Sequence, residues 1–233
     1  MRRDHPIVQR NLRKPLVQSV NPVIFGTTFV LFLLFGGLGL PLLYLLFSLV
    51  VLVQLAAGTV GKIYDERERF TWDLIRVAPF SRREVLLCTW AAGLWQMNST
   101  WLMPFYRVTQ GMVIVGMLVL GLWLGHIPAH LSLAFLVGST LLITLQPVVD
   151  TYFGGMVGLL AANVVRERMG AQLAAMTVVM LYWGTWIALI SVLVFSDLND
   201  LTSLHLGAIF GFCLLLPLTL GYGALRLAEM TMR

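Results

Sequence analysis

Charged residues are scarce in this sequence. Only 12% of the 233 residues are Asp, Glu, Lys or Arg, whereas 58% are hydrophobic and the mean hydropathy is +0.85. Soluble domains carry roughly 25% charged residues. The scarcity therefore excludes an ordinary soluble domain and indicates a multi-pass integral membrane protein with lipid as its solvent.

Cysteine and nucleotide-binding motifs are also lacking. Cys88 and Cys213 are far apart in sequence and lie in apolar surroundings, so neither a disulfide framework nor a cysteine-based metal site is supported. No Gly-x-x-x-x-Gly-Lys-Ser/Thr motif is present to hold the phosphates of ATP, and no H-E-x-x-H or G-x-S-x-G motif occurs. We therefore expect no enzyme activity, no metal and no cofactor in this chain. The basic residues lie in short clusters beside apolar runs and not along one soluble face, so we expect no nucleic acid as a partner.

Long apolar runs are abundant instead. Residues 22–61 contain no charge and are too many for one crossing of a hydrocarbon core of about 30 Å. We predict two spans there, separated near residues 36–41, where glycines precede Pro41. The run at 131–165 is interrupted only by Asp150, and Pro147 and the glycine pair at 154–155 predict an irregularity within it.

The predicted fold class is an all-α integral membrane protein, a bundle of about six transmembrane helices forming a single domain over residues 1–233. A cytoplasmic interfacial coupling helix is expected between spans two and three, in the charged segment 62–84. Residues 85–106 are interpreted as an interfacial helix, and an alternative with about eight spans has 85–106 and 151–165 crossing as well. The predicted spans are about 23–40, 42–60, 108–125, 131–165, 171–195 and 206–225.

Lys and Arg fall on one side of this predicted topology. All 16 precede the first span, lie between spans two and three or four and five, or follow span six. The opposite loops, including 126–130 and 196–200, contain none. Because basic loops stay in the cytoplasm, we predict that both termini are cytoplasmic.

Asp150 is the intramembrane polar residue of interest, because a charge within an apolar run is costly. One hypothesis is structural: Asp150 follows Pro147 by three residues and could cap a helix that restarts there. The alternatives are a role in proton transfer or substrate binding, or a misplaced span boundary.

The segment 62–84 holds 11 charged residues and cannot lie in lipid. It predicts two short helices, because Pro79 disfavours helix at the preceding residue and Ser81 with Glu84 forms a capping box for the next helix. The segment could be a solvated loop that fixes topology or a docking site for a partner.

The pattern within this segment resembles the coupling region of type-2 ATP-binding-cassette (ABC-2) exporter permeases. Asn21-Pro22 before the first span and the run 158–168 are also similar to that family. The residues that carry the main resemblance, and that it implies are partner-coupling residues, are Glu66, Arg67, Glu68, Thr71, Asp73, Leu74, Pro79, Ser81 and Glu84.

The resemblance implies a membrane-spanning permease subunit of an ABC-type exporter. Its partners would be a separate nucleotide-binding ATPase subunit, whose movements push on residues 66–76, and a second permease subunit in a homo- or heterodimer. The alternative is a non-transporting structural subunit that keeps a permease-like fold among the helices of a larger respiratory or photosynthetic membrane complex.

Overall fold

The computed structural model describes residues 22–68, 80–99, 106, 110, 132–195 and 203–232. Within these ranges the chain is helical apart from short connections, and they contain no strand. This confirms the all-α part of the predicted fold class. The helices are α1 (Pro22–Glu68), α2 (Arg82–Ser99), α3 (Ser132–Val164), α4 (Arg168–Phe195) and α5 (Ser203–Thr231).

Three helical segments of the described chain are long and apolar enough to cross a membrane. They are Tyr44–Glu68 in α1, Arg168–Leu189 in α4 and Gly207–Thr231 in α5. Such segments are typical of a membrane protein, as the composition predicted. The predicted span 108–125 lies outside the described residues except for Gln110.

The two spans predicted at 23–40 and 42–60 belong to one helix. α1 has 47 residues and continues through 36–41 without a break, so the predicted separation there is corrected. Glycine keeps both of its backbone hydrogen-bonding groups, and Pro41 removes only one donor. In an apolar segment the helix satisfies its own backbone groups, which favours its continuation. At 1.5 Å per residue, α1 is about 70 Å long.

α3 is likewise uninterrupted, with Pro147 inside the helix. Two of its glycines, Gly154 and Gly158, lie at the contact with α1. A Cβ atom added to Gly158 would lie 2.5 Å from the carbonyl oxygen of Ala56, and one added to Gly154 would lie 3.0 Å from a methyl group of Leu52. Glycines four residues apart thus let the two backbones approach closely, as small residues do between membrane helices.

α1, α3 and α5 run in the same direction, and α4 runs in the opposite direction against α1 and α3. Residues later in α1 contact residues later in α3, and the same holds for α3 and α5, so these helices are parallel. α4 begins beside the end of α1, and farther along α4 the Trp183 indole donates to the carbonyl of Leu45, which lies earlier in α1. The defining contacts are Leu52 with Gly154, Tyr64 with Val165, Gly138 with Phe210, and Phe153 with Gly221.

The core is built from residues that recur every three or four positions along each helix, so that one stripe of each faces the bundle. The contribution of α4 consists largely of small residues, which bring this helix close to its neighbours. Core members include Leu52, Ala56 and Val60 of α1, Leu86 of α2, Phe153, Met156 and Leu159 of α3, Ala171, Ala175 and Val179 of α4, and Leu225 and Ala228 of α5.

Candidate functional site

One end of the bundle carries the charged side chains of α1, α4 and α5 and of the turn between α3 and α4. Asp150 of α3 lies away from this end. α1, α3 and α5 end there, and the turn at 165–167 joins α3 to α4 beside them. At the opposite end, the described residues 44–50, 137–149, 182–189 and 205–213 contain no Asp, Glu, Lys or Arg. The name charged end is used below for Lys62, Asp65, Glu66, Arg67, Glu68, Arg166, Glu167, Arg168, Arg226 and Glu229.

Two side chains of α1 satisfy backbone carbonyls at the end of α3. The Tyr64 hydroxyl donates to the Val165 carbonyl at 2.6 Å, and Arg67 Nη1 donates to the Ala162 carbonyl at 2.8 Å. Arg67 Nη2 also donates to the side-chain oxygen of Asn163 at 3.0 Å. The last carbonyls of a helix have no partner within that helix. These hydrogen bonds therefore join the end of α1 to the end of α3.

The first residue of α4 is joined to the same place. Arg168 Nη1 lies 3.0 Å from Asp65 Oδ1 and 3.8 Å from Glu68 Oε1, and all three side chains are partly exposed. Exposed ion pairs contribute little to stability because water screens them. Their effect here is positional, since they place the start of α4 beside the last turn of α1.

The structure separates the three predicted coupling residues of α1. Glu66 is buried, with 3% of its surface exposed, and the Arg67 side chain is hydrogen-bonded to the end of α3. The side chain of Glu68 is 63% exposed. Of the three, Glu68 is therefore the residue that can offer its charge to a partner. The predicted coupling residues Thr71, Asp73, Leu74 and Pro79 lie outside the described residues.

Ser81 and Glu84 lie at the start of α2, where the capping box was predicted. The Glu84 N–H donates to Ser81 Oγ at 3.2 Å, which confirms one of the two hydrogen bonds of that motif. One turn further along, Cys88 is fully buried, and burial raises the pKa of its thiol to about 11. The thiol is therefore protonated at neutral pH and poorly nucleophilic.

A second polar group of residues lies away from the charged end, between α3 and α4. Asp150 Oδ1 accepts from Gln146 Nε2 at 2.6 Å and from the Tyr182 hydroxyl at 2.6 Å. The Tyr182 oxygen in turn accepts from Gln146 Nε2 and from Trp186 Nε1, each at 2.9 Å. These four residues are called the polar cluster below. It joins two helices by hydrogen bonds within an apolar core.

The capping hypothesis for Asp150 is wrong in this structure. α3 does not restart after Pro147, so no helix N-terminus is available at Asp150. Its carboxylate is directed to side chains of α3 and α4, and the residue is only 4% exposed. The sequence identified Asp150 as the unusual residue but not its partners.

Gln146 and Tyr182 were missed by the sequence analysis. Gln146 precedes Asp150 by four residues, and that spacing places two side chains on one face of a helix. The spacing could have identified this half of the polar cluster. Tyr182 is 32 residues from Asp150, and only the packing of α4 against α3 brings the two together.

Within the described residues, no three His, Cys, Asp or Glu side chains are close enough together to hold a metal ion. The charged end is held together by hydrogen bonds and ion pairs, and the polar cluster by hydrogen bonds. The chain matches no protein-family model, no curated protein and no solved structure.

Proposed function

We propose that this chain is the membrane-spanning permease subunit of an ABC-type exporter, energised by a separate ATPase chain. The observation that carries the proposal is the attachment of Arg67 to the end of α3. Arg67 lies in the Glu66-Arg67-Glu68 motif that resembles the ABC-2 permeases. A partner that pushes on the residues after this motif would act on helices that are already joined.

The attachment gives a route for mechanical coupling. Displacement of α1 at Arg67 would stretch hydrogen bonds to Ala162 and Asn163, and displacement at Asp65 would pull on Arg168 at the start of α4. The three helices would therefore respond together. Glu68, exposed beside this junction, is suited to contact the partner.

The charged end faces the cytoplasm in this proposal, because basic residues are retained on that side. This orientation places the end of α1, with the exposed Glu68, within reach of a cytoplasmic ATPase. The basic residues before α1 favour a cytoplasmic N-terminus too. A single crossing by α1, which is continuous and about 70 Å long, would instead place the N-terminus outside, so the cytoplasmic N-terminus of the topology of about six spans needs its own test.

The test is copurification of a nucleotide-binding chain after mild detergent extraction, together with its ATPase rate. Wild type is compared with Glu68→Lys, which reverses an exposed charge, and with Glu229→Lys as a control at the same end of the bundle. Like charges at a docking site oppose association. We expect Glu68→Lys to reduce ATPase recovery at least several-fold and Glu229→Lys to leave it near the wild-type level.

Glu66 is unsuitable for this test. Because it is buried, its reversal to Lys would place a cation inside the bundle and disturb folding as well as docking. If the wild-type chain retains no ATPase but copurifies with another membrane complex, the permease proposal fails and the structural-subunit alternative is supported. Equal recovery with both variants would remove Glu68 from the docking surface.

A further inference from the structure

The donors and acceptors of the polar cluster can be counted atom by atom. Both hydrogens of Gln146 Nε2 are used, one toward Asp150 and one toward Tyr182. The Tyr182 hydroxyl donates once and accepts twice, which fills its capacity. The exception is Gln146 Oε1, which is buried and accepts no hydrogen bond within the described structure. The cluster therefore holds one unused acceptor.

The distance between Gln146 Nε2 and Asp150 Oδ1 is short for an N–H···O hydrogen bond. A separation of 2.6 Å lies below the usual range of about 2.7–3.2 Å for N–H···O and within that for O–H···O. Turning the Gln146 amide over would exchange Nε2 and Oε1. Oε1 would then face Asp150 at the distance expected for a donating carboxylic acid.

The groups around Asp150 carry no compensating positive charge. Tyr182 of α4, Tyr44 of α1, Cys213 of α5 and Tyr106 interact with it electrostatically, and all are neutral when protonated. α2 presents the uncharged indole of Trp90, which donates to the Thr151 carbonyl at 3.1 Å. Among the described residues, Asp150 forms no ion pair with Lys or Arg. A buried carboxylate without a cation is costly.

A bound metal cation does not suit this geometry. Asp150 Oδ1, Gln146 Nε2 and the Tyr182 oxygen lie within 2.6–2.9 Å of one another, in direct hydrogen-bond contact. A cation would have to separate these atoms in order to be surrounded by them. A proton needs no such space.

We propose that the polar cluster is a proton-binding site, in which Asp150 takes up a proton from water and the Gln146 amide turns over to accept it. The step is the addition of H⁺ to a carboxylate to give a carboxylic acid, and no other covalent bond forms or breaks. In the charged state Gln146 donates to Asp150. In the neutral state Asp150 donates to Gln146 Oε1, the acceptor that the charged state leaves unused.

The site links protonation to the contact between two helices. Gln146 and Asp150 belong to α3, whereas Tyr182 and Trp186 belong to α4. The proton changes which of these atoms donate and which accept, and it removes a buried negative charge from the interface. The inference does not rest on the permease proposal, because it concerns the chain by itself.

Infrared spectroscopy of the purified full-length protein in lipid nanodiscs tests the site directly. A protonated carboxyl group has a C=O stretching band distinct from those of a carboxylate. We expect such a band at pH 7 in the wild type, its loss in Asp150→Asn and its retention in Asp65→Asn, whose side chain is partly exposed at the charged end. Gln146→Leu should keep the band and shift it, because the acid loses its acceptor.

The outcomes separate the proposal from a purely structural role. If the pH 7 spectra of wild type and Asp150→Asn contain the same carboxylic acid bands, Asp150 does not hold a proton and the proposal is overturned. An unshifted band in Gln146→Leu would exclude the amide as its partner. If Asp150→Asn does not fold, Asp150→Glu provides the assignment, since a proton site predicts a displaced acid band and a permanent carboxylate predicts none.

Discussion

The Cβ position of Gly158 lies 2.5 Å from the carbonyl oxygen of Ala56, so that α3 meets α1 backbone against backbone. A side chain cannot occupy that space unless the helices separate, because backbone atoms are not free to rotate away. The contact also sets the spacing between the two helices whose ends meet at Arg67 and Ala162.

Gly158→Ala should therefore destabilise the protein, by about 1–3 kcal/mol as is typical of overpacking. Gly184→Ala in α4 is the matched control, because nothing lies within 4 Å of its Cβ position. Alanine also has the higher helix propensity, so the control should be neutral or slightly stabilising. Thermal unfolding in detergent measures both, and equal midpoints for the two variants would contradict the close contact.

Arg67→Ala should also destabilise the protein, by about 1–3 kcal/mol, because it leaves the Ala162 carbonyl and the Asn163 side chain without their donor. Arg226→Ala removes the same charge from the same end of the bundle. Arg226 is exposed and pairs with Glu229 at 3.5 Å. The control should unfold like the wild type, and a similar loss in both variants would indicate that net charge matters instead of the hydrogen bonds.

The buried thiol of Cys88 predicts a loss of stability in alkali. Its pKa is raised from 9.0 to about 11 in the folded protein, because burial disfavours the thiolate. The unfolded chain loses this proton first as the pH rises. The stability that the protonated Cys88 thiol contributes is thus fully present below about pH 9 and is lost between about pH 9 and 11. Unfolding of wild type and Cys88→Ala in urea should show a steeper decline for the wild type over that interval.

Cysteine labelling in intact cells tests the orientation of the bundle. Glu167 and His205 are both exposed and lie at opposite ends. With the charged end in the cytoplasm, a membrane-impermeant maleimide should label His205→Cys from outside and Glu167→Cys only after permeabilisation. The native Cys88 and Cys213 are buried and should give little background. Labelling of Glu167→Cys in intact cells would reverse the proposed orientation.

The N-terminus needs a separate label, at His5→Cys. If the N-terminus is cytoplasmic, as the basic residues beside it predict, this cysteine should be protected in intact cells. Outside labelling would show that α1 crosses once and would contradict the topology of about six spans. The result bears on topology alone and leaves the proton site untouched.

The helices could be predicted from the sequence because helices that lie in lipid need long apolar runs, and these runs are visible in the sequence. α4 and α5 occupy almost the residues predicted for spans 171–195 and 206–225. The break near 36–41 was wrong because glycine and proline were judged by their behaviour in water, where freed backbone groups find partners. In lipid the helix keeps its own hydrogen bonds.

In the polar sites, too, local contacts could be predicted from the sequence and contacts between distant residues could not. The Ser81–Glu84 cap is local in sequence and could be predicted, since its hydrogen bond joins residues three apart. The hydrogen bonds of Arg67 to Ala162 and of Tyr182 to Asp150 span 95 and 32 residues. They depend on how the helices pack, which the periodicity of each separate helix does not specify.

The common direction of α1, α3 and α5 gathers three helix carboxyl termini at the charged end. Each peptide unit has a dipole along the helix axis, and the aligned dipoles amount to roughly half a negative charge at each such terminus. Arg67 and Arg226 lie near the carboxyl termini of α1 and α5. If the charged end faces the cytoplasm, the same arginines that bias the orientation of the chain also neutralise the dipoles of α1 and α5, so that moving either of them would affect both insertion and packing.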